Sequence, residues 1–133
     1  MAHGTFVTAI NCMDGRVQDA VKNYMQKKYG VDFVDAITEP GPNKILADAK
    51  SNPSASSGQV IENIKKRVAI SVEKHGSKVI AIVGHHDCAG NPVAKEEQIK
   101  HLKEAKKVVE GFGFPVEVIL LFVEGDWATI EEI

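Results

Sequence analysis

The chain has two cysteines, Cys12 in "NCMDGRV" and Cys88 in "VGHHDCAGN", each standing where an apolar run gives way to polar residues. In "HHDC", His85 and Cys88 are separated by two residues, a spacing at which a tight turn lets both side chains grip one metal ion. Cys12 adds a second thiolate. Two thiolates and one imidazole make a catalytic zinc set that leaves a fourth coordination position open. Because two thiolates cancel the charge of Zn²⁺, a neighbouring group must then help to hold and orient the bound water as hydroxide. Asp14 and Arg16 are the candidates. Along an extended strand end, positions 12, 14 and 16 point to the same side. A carboxylate there can accept the hydrogen bond of the hydroxide, and an arginine can fix that carboxylate with a bidentate pair.

Each of these residues also has a plainer role open to it. Asp14 can cap a helix beginning near Gly15, and Arg16 can be a solvated first-turn residue. Buried free cysteine is common, and the His-x-x-Cys pair alone is a weak signal. The metal reading rests on all three donors together and on where they fall in the fold. A thiol-redox pair is a further alternative and requires both sulfurs within disulfide distance. His86 adjoins the cluster as a proton carrier or simply as an exposed neighbour. His3, His75 and His101 stand in an N-terminal tail, at a helix end and on a lysine-rich helix face, and receive no function.

The elements that must position these groups follow from hydrophobic periodicity. "TFVTAINC" (5–12) reads as a buried strand. "RVQDAVKNYMQKKYG" carries apolar residues at helical spacing and ends on Gly30. "VDFVDAIT" (31–38) is a second strand. Residues 39–57 hold three of the five prolines around the short helical piece "ILADAK" and are expected to form a variable loop or lid. "QVIENIKKRVAISVEKHG" (59–76) is a helix, "KVIAIVG" (78–84) a strand covered on both faces, "KEEQIKHLKEAKKVVEGFG" a helix and "VEVILLFVE" a strand. "GD" before "WATIEEI" predicts a hairpin turn into an antiparallel edge strand. The fold class expected is α/β: an open, mostly parallel sheet flanked by helices, with right-handed crossovers and a C-terminal antiparallel edge strand. Cys12 and Cys88 then lie at the C-terminal ends of the first and third strands. If the first strand is central, with the second and third on either side of it, both loops open into the crevice where strand order reverses.

At 133 residues this is one domain, 1–133, large enough to bury a core without staples. Hydrophobic residues at 44% and charged residues at 26% describe an ordinary globular chain. The longest apolar runs are too short to cross a bilayer, and the N-terminus lacks the regions of a signal peptide, so a cytoplasmic protein is expected. A net charge of −2 offers no basic footprint for nucleic acid and no polybasic membrane patch.

"CMDGRV" followed by "VIAIVGHHDCAG" resembles the β-class carbonic anhydrases, whose pattern is Cys-x-Asp-Ser-Arg and later Gly-His-x-x-Cys-Gly after a strand. The resemblance spans most of the chain. It implies zinc ligation by Cys12, His85 and Cys88 and a catalytic pair of Asp14 and Arg16. The activity implied is reversible hydration of carbon dioxide to bicarbonate by a zinc-bound hydroxide. The same resemblance leaves room for a linear sulfur analogue as substrate, or for a non-catalytic zinc-binding or bicarbonate-sensing relative. In that family the Asp–Arg pair frees the fourth zinc position for water, and when broken lets the aspartate occupy it. A homodimer or higher homo-oligomer is also implied. This sequence departs from the pattern at Gly15, for the usual serine, at Ala89, for the usual glycine, and at "ITEPGPN", which lacks the family's arginine. Only eleven residues precede Cys12, so the family's N-terminal helical arm is expected to be missing.

Overall fold

The fold is a five-stranded sheet in the order β2-β1-β3-β4-β5, seen in a computed structural model that describes residues 3–51 and 55–133, without the side chains of 50, 51 and 55–57. The strands are β1 (Phe6–Cys12), β2 (Phe33–Glu39), β3 (Val79–His85), β4 (Glu117–Val123) and β5 (Ile130–Glu132). The first four run parallel, and β5 pairs antiparallel with β4. The expected α/β class and the central place of the first strand both hold. Strand β3 is buried along its whole length, as an unbroken apolar run between two covered faces should be.

Alternation along the strands sorts the core into two layers. Val7, Ala9, Val79, Ala81 and Val83 face helix α1 (Gln18–Tyr29), meeting its Val21 and Met25. Ile10, Ile37, Ile80 and Ile82 face the opposite way, toward α2 (Pro42–Ser51), α3 (Ala55–Ala69) and α4 (Lys95–Glu110), where Leu46, Ile64, Val68 and Leu102 meet them. Covering helices lie on opposite faces because the chain leaves β1 toward β2 but returns past it to β3. With right-handed crossovers, that reversal switches sides. The ladder between β1 and β3 runs only from Thr8–Ile80 to Ile10–Ile82. Beyond it the strand ends part, and Cys12 and His85 are the last residues of the two strands.

Three local expectations change. The predicted loop over 39–57 is largely helical in its described part: Glu39 ends β2, Pro42–Ser51 is α2, and α3 begins at Ala55. Residues 52–54 lie outside the described residues. Pro42 opens α2 instead of breaking it, because the first helical position has no partner for an N–H and suits the fixed φ of proline. The helix expected over 59–76 ends in a wider turn over Ile70–Lys74, where His75 N–H reaches back five residues to the Ile70 carbonyl. The C-terminal hairpin does not turn on two residues. Glu124 N–H donates to the Thr129 carbonyl, closing a loop over 125–128, and β5 is confined to Ile130–Glu132.

The loops after β2 and β3 touch backbone to backbone. A Cβ on Gly90 would lie 2.4 Å from the Pro40 carbonyl carbon, and one on Gly41, at φ +62°, would lie 2.8 Å from that of Gly90. Only glycine permits this approach. Gly90→Ala is therefore expected to lose more than about 2 kcal/mol of stability in denaturant unfolding, because rigid backbone must move. Gly58→Ala, in α3 with nothing within 4 Å of the added methyl, should gain about 0.5–1 kcal/mol. A Gly90→Ala protein as stable as the parent would show that the two loops do not meet.

Candidate metal centre

Cys12, His85 and Cys88 converge where β1 and β3 part. Their donor atoms lie within 4.8 Å of one another, and all three side chains are buried, His85 to 1% exposure. The two sulfurs are 3.9 Å apart and unbonded. That separation is far above a disulfide bond length. It matches the sulfur–sulfur edge of about 3.8 Å that follows from a tetrahedral ion with bonds of about 2.3 Å to each thiolate. His85 Nδ1 lies 2.7 Å from the His86 carbonyl, which can only accept, so Nδ1 carries the proton. Nε2 is left as a bare lone pair, buried and without any partner. An orphaned acceptor beside two thiols is what a metal-ligand set presents when the second nitrogen has fixed the tautomer. These residues fit a soft divalent cation such as zinc.

Protonation agrees with that fit. The Cys88 thiol's hydrogen bond draws the Cys12 thiol well below its ordinary range against the cost of burial, assisted by His85 and by the amides of Gly41 and Asp14. Cys88 is pushed up, first by that same bond and then by burial. Without a cation the two sulfurs therefore hold one proton between them, since two thiolates this close in a dry site repel. Burial is the largest influence on His85 and opposes a charge there, but the negative Cys12 sulfur, the His86 carbonyl and Asp14 together outweigh it and raise the imidazole.

Backbone geometry holds the donors. Gln98, on the otherwise apolar face of α4, accepts from His85 N–H through Oε1 at 3.2 Å and donates Nε2 to the His85 carbonyl at 2.6 Å. Gly84 lets it approach, because a Cβ there would lie 2.8 Å from Gln98 Oε1. Asn43 in the first turn of α2 donates to the same Oε1 at 3.3 Å. Sequence patterning missed Gln98 and Asn43, although a glutamine at helical spacing with Leu102, Ala105 and Val109 was the available signal.

Asp14 and Arg16 are brought to this cluster, but not by an extended strand end. Gly15–Val17 forms a single 3₁₀ turn, with Asp14 accepting the Arg16 N–H at 2.9 Å. The turn folds Arg16 back onto Asp14. Nε donates to both carboxylate oxygens at 3.1 and 3.2 Å, and Nη2 donates to Oδ2 at 2.7 Å. The capping role and the ion pair thus coexist. The Arg16 guanidinium holds Asp14 at about 2, below its ordinary 3.8, so the carboxylate stays ionised. Its Oδ2 is 4.0 Å from the free His85 Nε2.

Two residues that patterning passed over complete the surroundings of Arg16. Asp87 accepts from Nη1 on its side chain at 3.3 Å and from Nη2 on its carbonyl at 3.1 Å. The Trp127 ring lies under the guanidinium, 4.1 Å from centroid to Cζ. His86 is exposed, its ring 6.0 Å from that of Trp127. The remaining histidines stay apart from the cluster: His75 pairs with Asp35 at 2.6 Å, His101 with Asn91 at 3.0 Å, and His3 is exposed. A cavity of about 360 Å³ among Phe6, Tyr29, His75 and Val79 contains none of the site residues.

Comparison with known proteins agrees with the fold and with the family resemblance. A family model described as "Putative carbonic anhydrase" matches residues 2–133. No curated protein matches the chain in sequence. Among solved structures, a carbonic anhydrase from Streptococcus mutans aligns over 96% of this chain and 80% of its own, at 13% identity and a TM-score of 0.61. One of two tetrameric β-carbonic anhydrases from the ascomycete Sordaria macrospora aligns over 99% and 82%, at 13% identity and a TM-score of 0.56. The chain belongs to the carbonic anhydrase family, and its fold is that of the β class. Among the described residues, no helix is long and apolar enough to cross a membrane.

The loop bearing Trp127 is pinned by Asp126, which accepts from the amides of Ala128 and Thr129 at 3.0 and 2.8 Å and from the Thr129 hydroxyl. The Thr129 hydroxyl, then these amides, lower Asp126 from 3.8 to about 2. A depressed carboxylate stabilises the fold above its unfolded pKa and ceases to do so as pH falls through the folded one. The loop should therefore hold down to about pH 4 and loosen toward pH 2. Carboxyl-carbon NMR titration should place the Asp126 midpoint near 2; a midpoint near 3.8 would mean that the loop is not capped in this way.

Proposed function

We propose that this chain catalyses the reversible hydration of carbon dioxide to bicarbonate with zinc, using Asp14 and Arg16 as its catalytic pair. The observation that carries this reading is the placement of an ionised, arginine-held carboxylate 4.0 Å from the unpartnered His85 Nε2. Cys12, His85 Nε2 and Cys88 would hold the ion, and zinc bound there lowers the pKa of a coordinated water toward ~7 and so supplies a nucleophile at neutral pH. Asp14 offers that water an acceptor, which turns one proton toward the carboxylate and the attacking lone pair toward the substrate carbon. Arg16 keeps Asp14 charged and occupies both of its oxygens, so the carboxylate serves as a hydrogen-bond acceptor instead of a fourth ligand. The proton that this water loses in becoming the nucleophile passes to solvent and buffer, and attack on CO₂ then releases none.

Equilibrium dialysis should find one zinc per chain, lost on Cys88→Ala. Stopped-flow hydration of CO₂ by the zinc-loaded protein should rise with pH between about 6.5 and 9 as the nucleophile forms. Asp14→Asn should lower kcat by about 100-fold or more while zinc stays bound. A folded, zinc-loaded sample without hydration across that range would remove the enzyme reading and leave a zinc-binding member of the family.

We further infer a homo-oligomer. The family resemblance supports it, as does the exposed edge of β2, where Phe33 is 50% exposed. Light scattering should give at least twice the mass of the 14.4 kDa chain; a monomer at working concentration would count against it.

A further inference from the structure

We propose that Trp127 is a positioning residue. Its indole face, together with Asp87, holds the Arg16 guanidinium in the one plane from which it can engage both oxygens of Asp14.

Three independent observations meet at Arg16. The first is the ring 4.1 Å beneath the guanidinium carbon, a distance at which the negative face of an indole attracts a cation. The second is conformational. Among the described residues, Asp87 at φ 57° and Trp127 at φ 58° are the two non-glycine residues in the left-handed region, and both contact Arg16. Aspartate tolerates that region; a bulky aromatic residue there is a genuine outlier. Strain of this kind persists only where surrounding structure over-determines it, and it clusters at functional sites. Here Asp126 locks the loop around Trp127 with two amide bonds and a hydroxyl bond. Gly125 lies flat on His86, where a Cβ would be 3.0 Å from the ring.

The third observation is the division of donors on Arg16. Nε and Nη2 reach Asp14, while Nη1 and Nη2 reach Asp87. Hydrogen bonds fix the guanidinium in its own plane, but they do not stop it tilting out of that plane toward solvent. Arg16 is an exposed residue, so tilting is open to it. The indole closes that one remaining direction. Its role is therefore exerted through Arg16, with no contact to a reacting atom required. The consequence for turnover rests on the hydration reading above; the clamp itself does not.

The chain's composition makes the test clean, because it contains one tryptophan and two arginines, Arg16 and Arg67. Arg67, paired with Glu39 at 3.1 Å, is an internal control. Nitrogen-15 NMR of the metal-free protein should show the Arg16 Nε–Hε proton exchanging slowly with water. In Trp127→Leu, which keeps apolar bulk but has no π face, that exchange should quicken by about tenfold. Trp127→Phe should restore most of the protection, and Arg67 should be unmoved in both. Exchange of Arg16 in Trp127→Leu within twofold of the parent would overturn the proposal.

If Trp127→Leu fails to fold, the unmodified protein still decides. Ring current from the indole should shift the Arg16 side-chain protons upfield, and random-coil shifts for them would overturn the proposal equally. In the zinc-loaded protein, the Leu variant should lose kcat with little change in KM for CO₂. Freed Arg16 exchange in a protein whose parent hydrates no CO₂ would uphold the clamp and remove the hydration reading, so the two failures are distinguishable.

Discussion

Two sulfur atoms brought to 3.9 Å of each other in a buried crevice are the constraint from which the rest of this structure follows. Neither can ionise freely beside the other, because two negative charges at that separation in a poorly solvated site repel strongly. A shared proton is one solution, and a divalent cation is the other. The cation is the better one here because a third donor, the Nε2 lone pair of His85, faces the same point and has nothing else to bond. The fold creates this meeting by topology alone. The first and third strands are neighbours, they stop pairing two and three residues before their ends, and the chain reverses direction between them.

Precision at the crevice comes from backbone more than from side-chain packing. The loops after β2 and β3 meet through Gly41 and Gly90, closer than any side chain would allow. That contact places the amide of Gly41 on the Cys12 sulfur, and Gly90 and Asn91 present theirs to Cys88. On the other face, the primary amide of Gln98 takes up both the N–H and the carbonyl of His85, so the histidine's backbone is held as firmly as a ladder pair would hold it. The segment "TEPGPN", which departs most from the family pattern, is thus built into the support of the centre. Its proline starts a helix, its glycine allows the loop contact, and Asn43 braces Gln98.

The strands, the order of the first three and the five residues that the structure gathers, Cys12, Asp14, Arg16, His85 and Cys88, could be read from the sequence. They depend on short-range periodicity and on a few chemically distinctive side chains. The helix at Pro42 was missed because proline was weighed as a breaker, when the identity of its partners decides whether it begins or ends an element. Asp14 and Arg16 were expected side by side on an extended chain. A 3₁₀ turn joins them instead, since the Asp14 carboxylate satisfies the Arg16 amide and bends the backbone. Gln98, Asp87 and Trp127 were out of reach for another reason. What each does is set by a partner from 13 to 111 residues away, and nothing local to "EEQIK" or "GDWAT" encodes that partner.

A centre with two thiolates poses an electrostatic problem, because sulfur donates enough charge to blunt the acidity of a bound cation. The geometry answers it from two sides. Backbone amides on both sulfurs draw charge away from the metal position, as donors around a ligand are known to do. Asp14 then stands near the cluster as a negative group whose charge is largely matched by Arg16, through three hydrogen bonds. Without that match, an ionised carboxylate this close to a cation would move onto it. On the proposed reading, the position of Arg16 therefore decides whether Asp14 is a ligand or an acceptor. The hairpin loop at the far end of the chain, through Trp127, is where the fold sets that position.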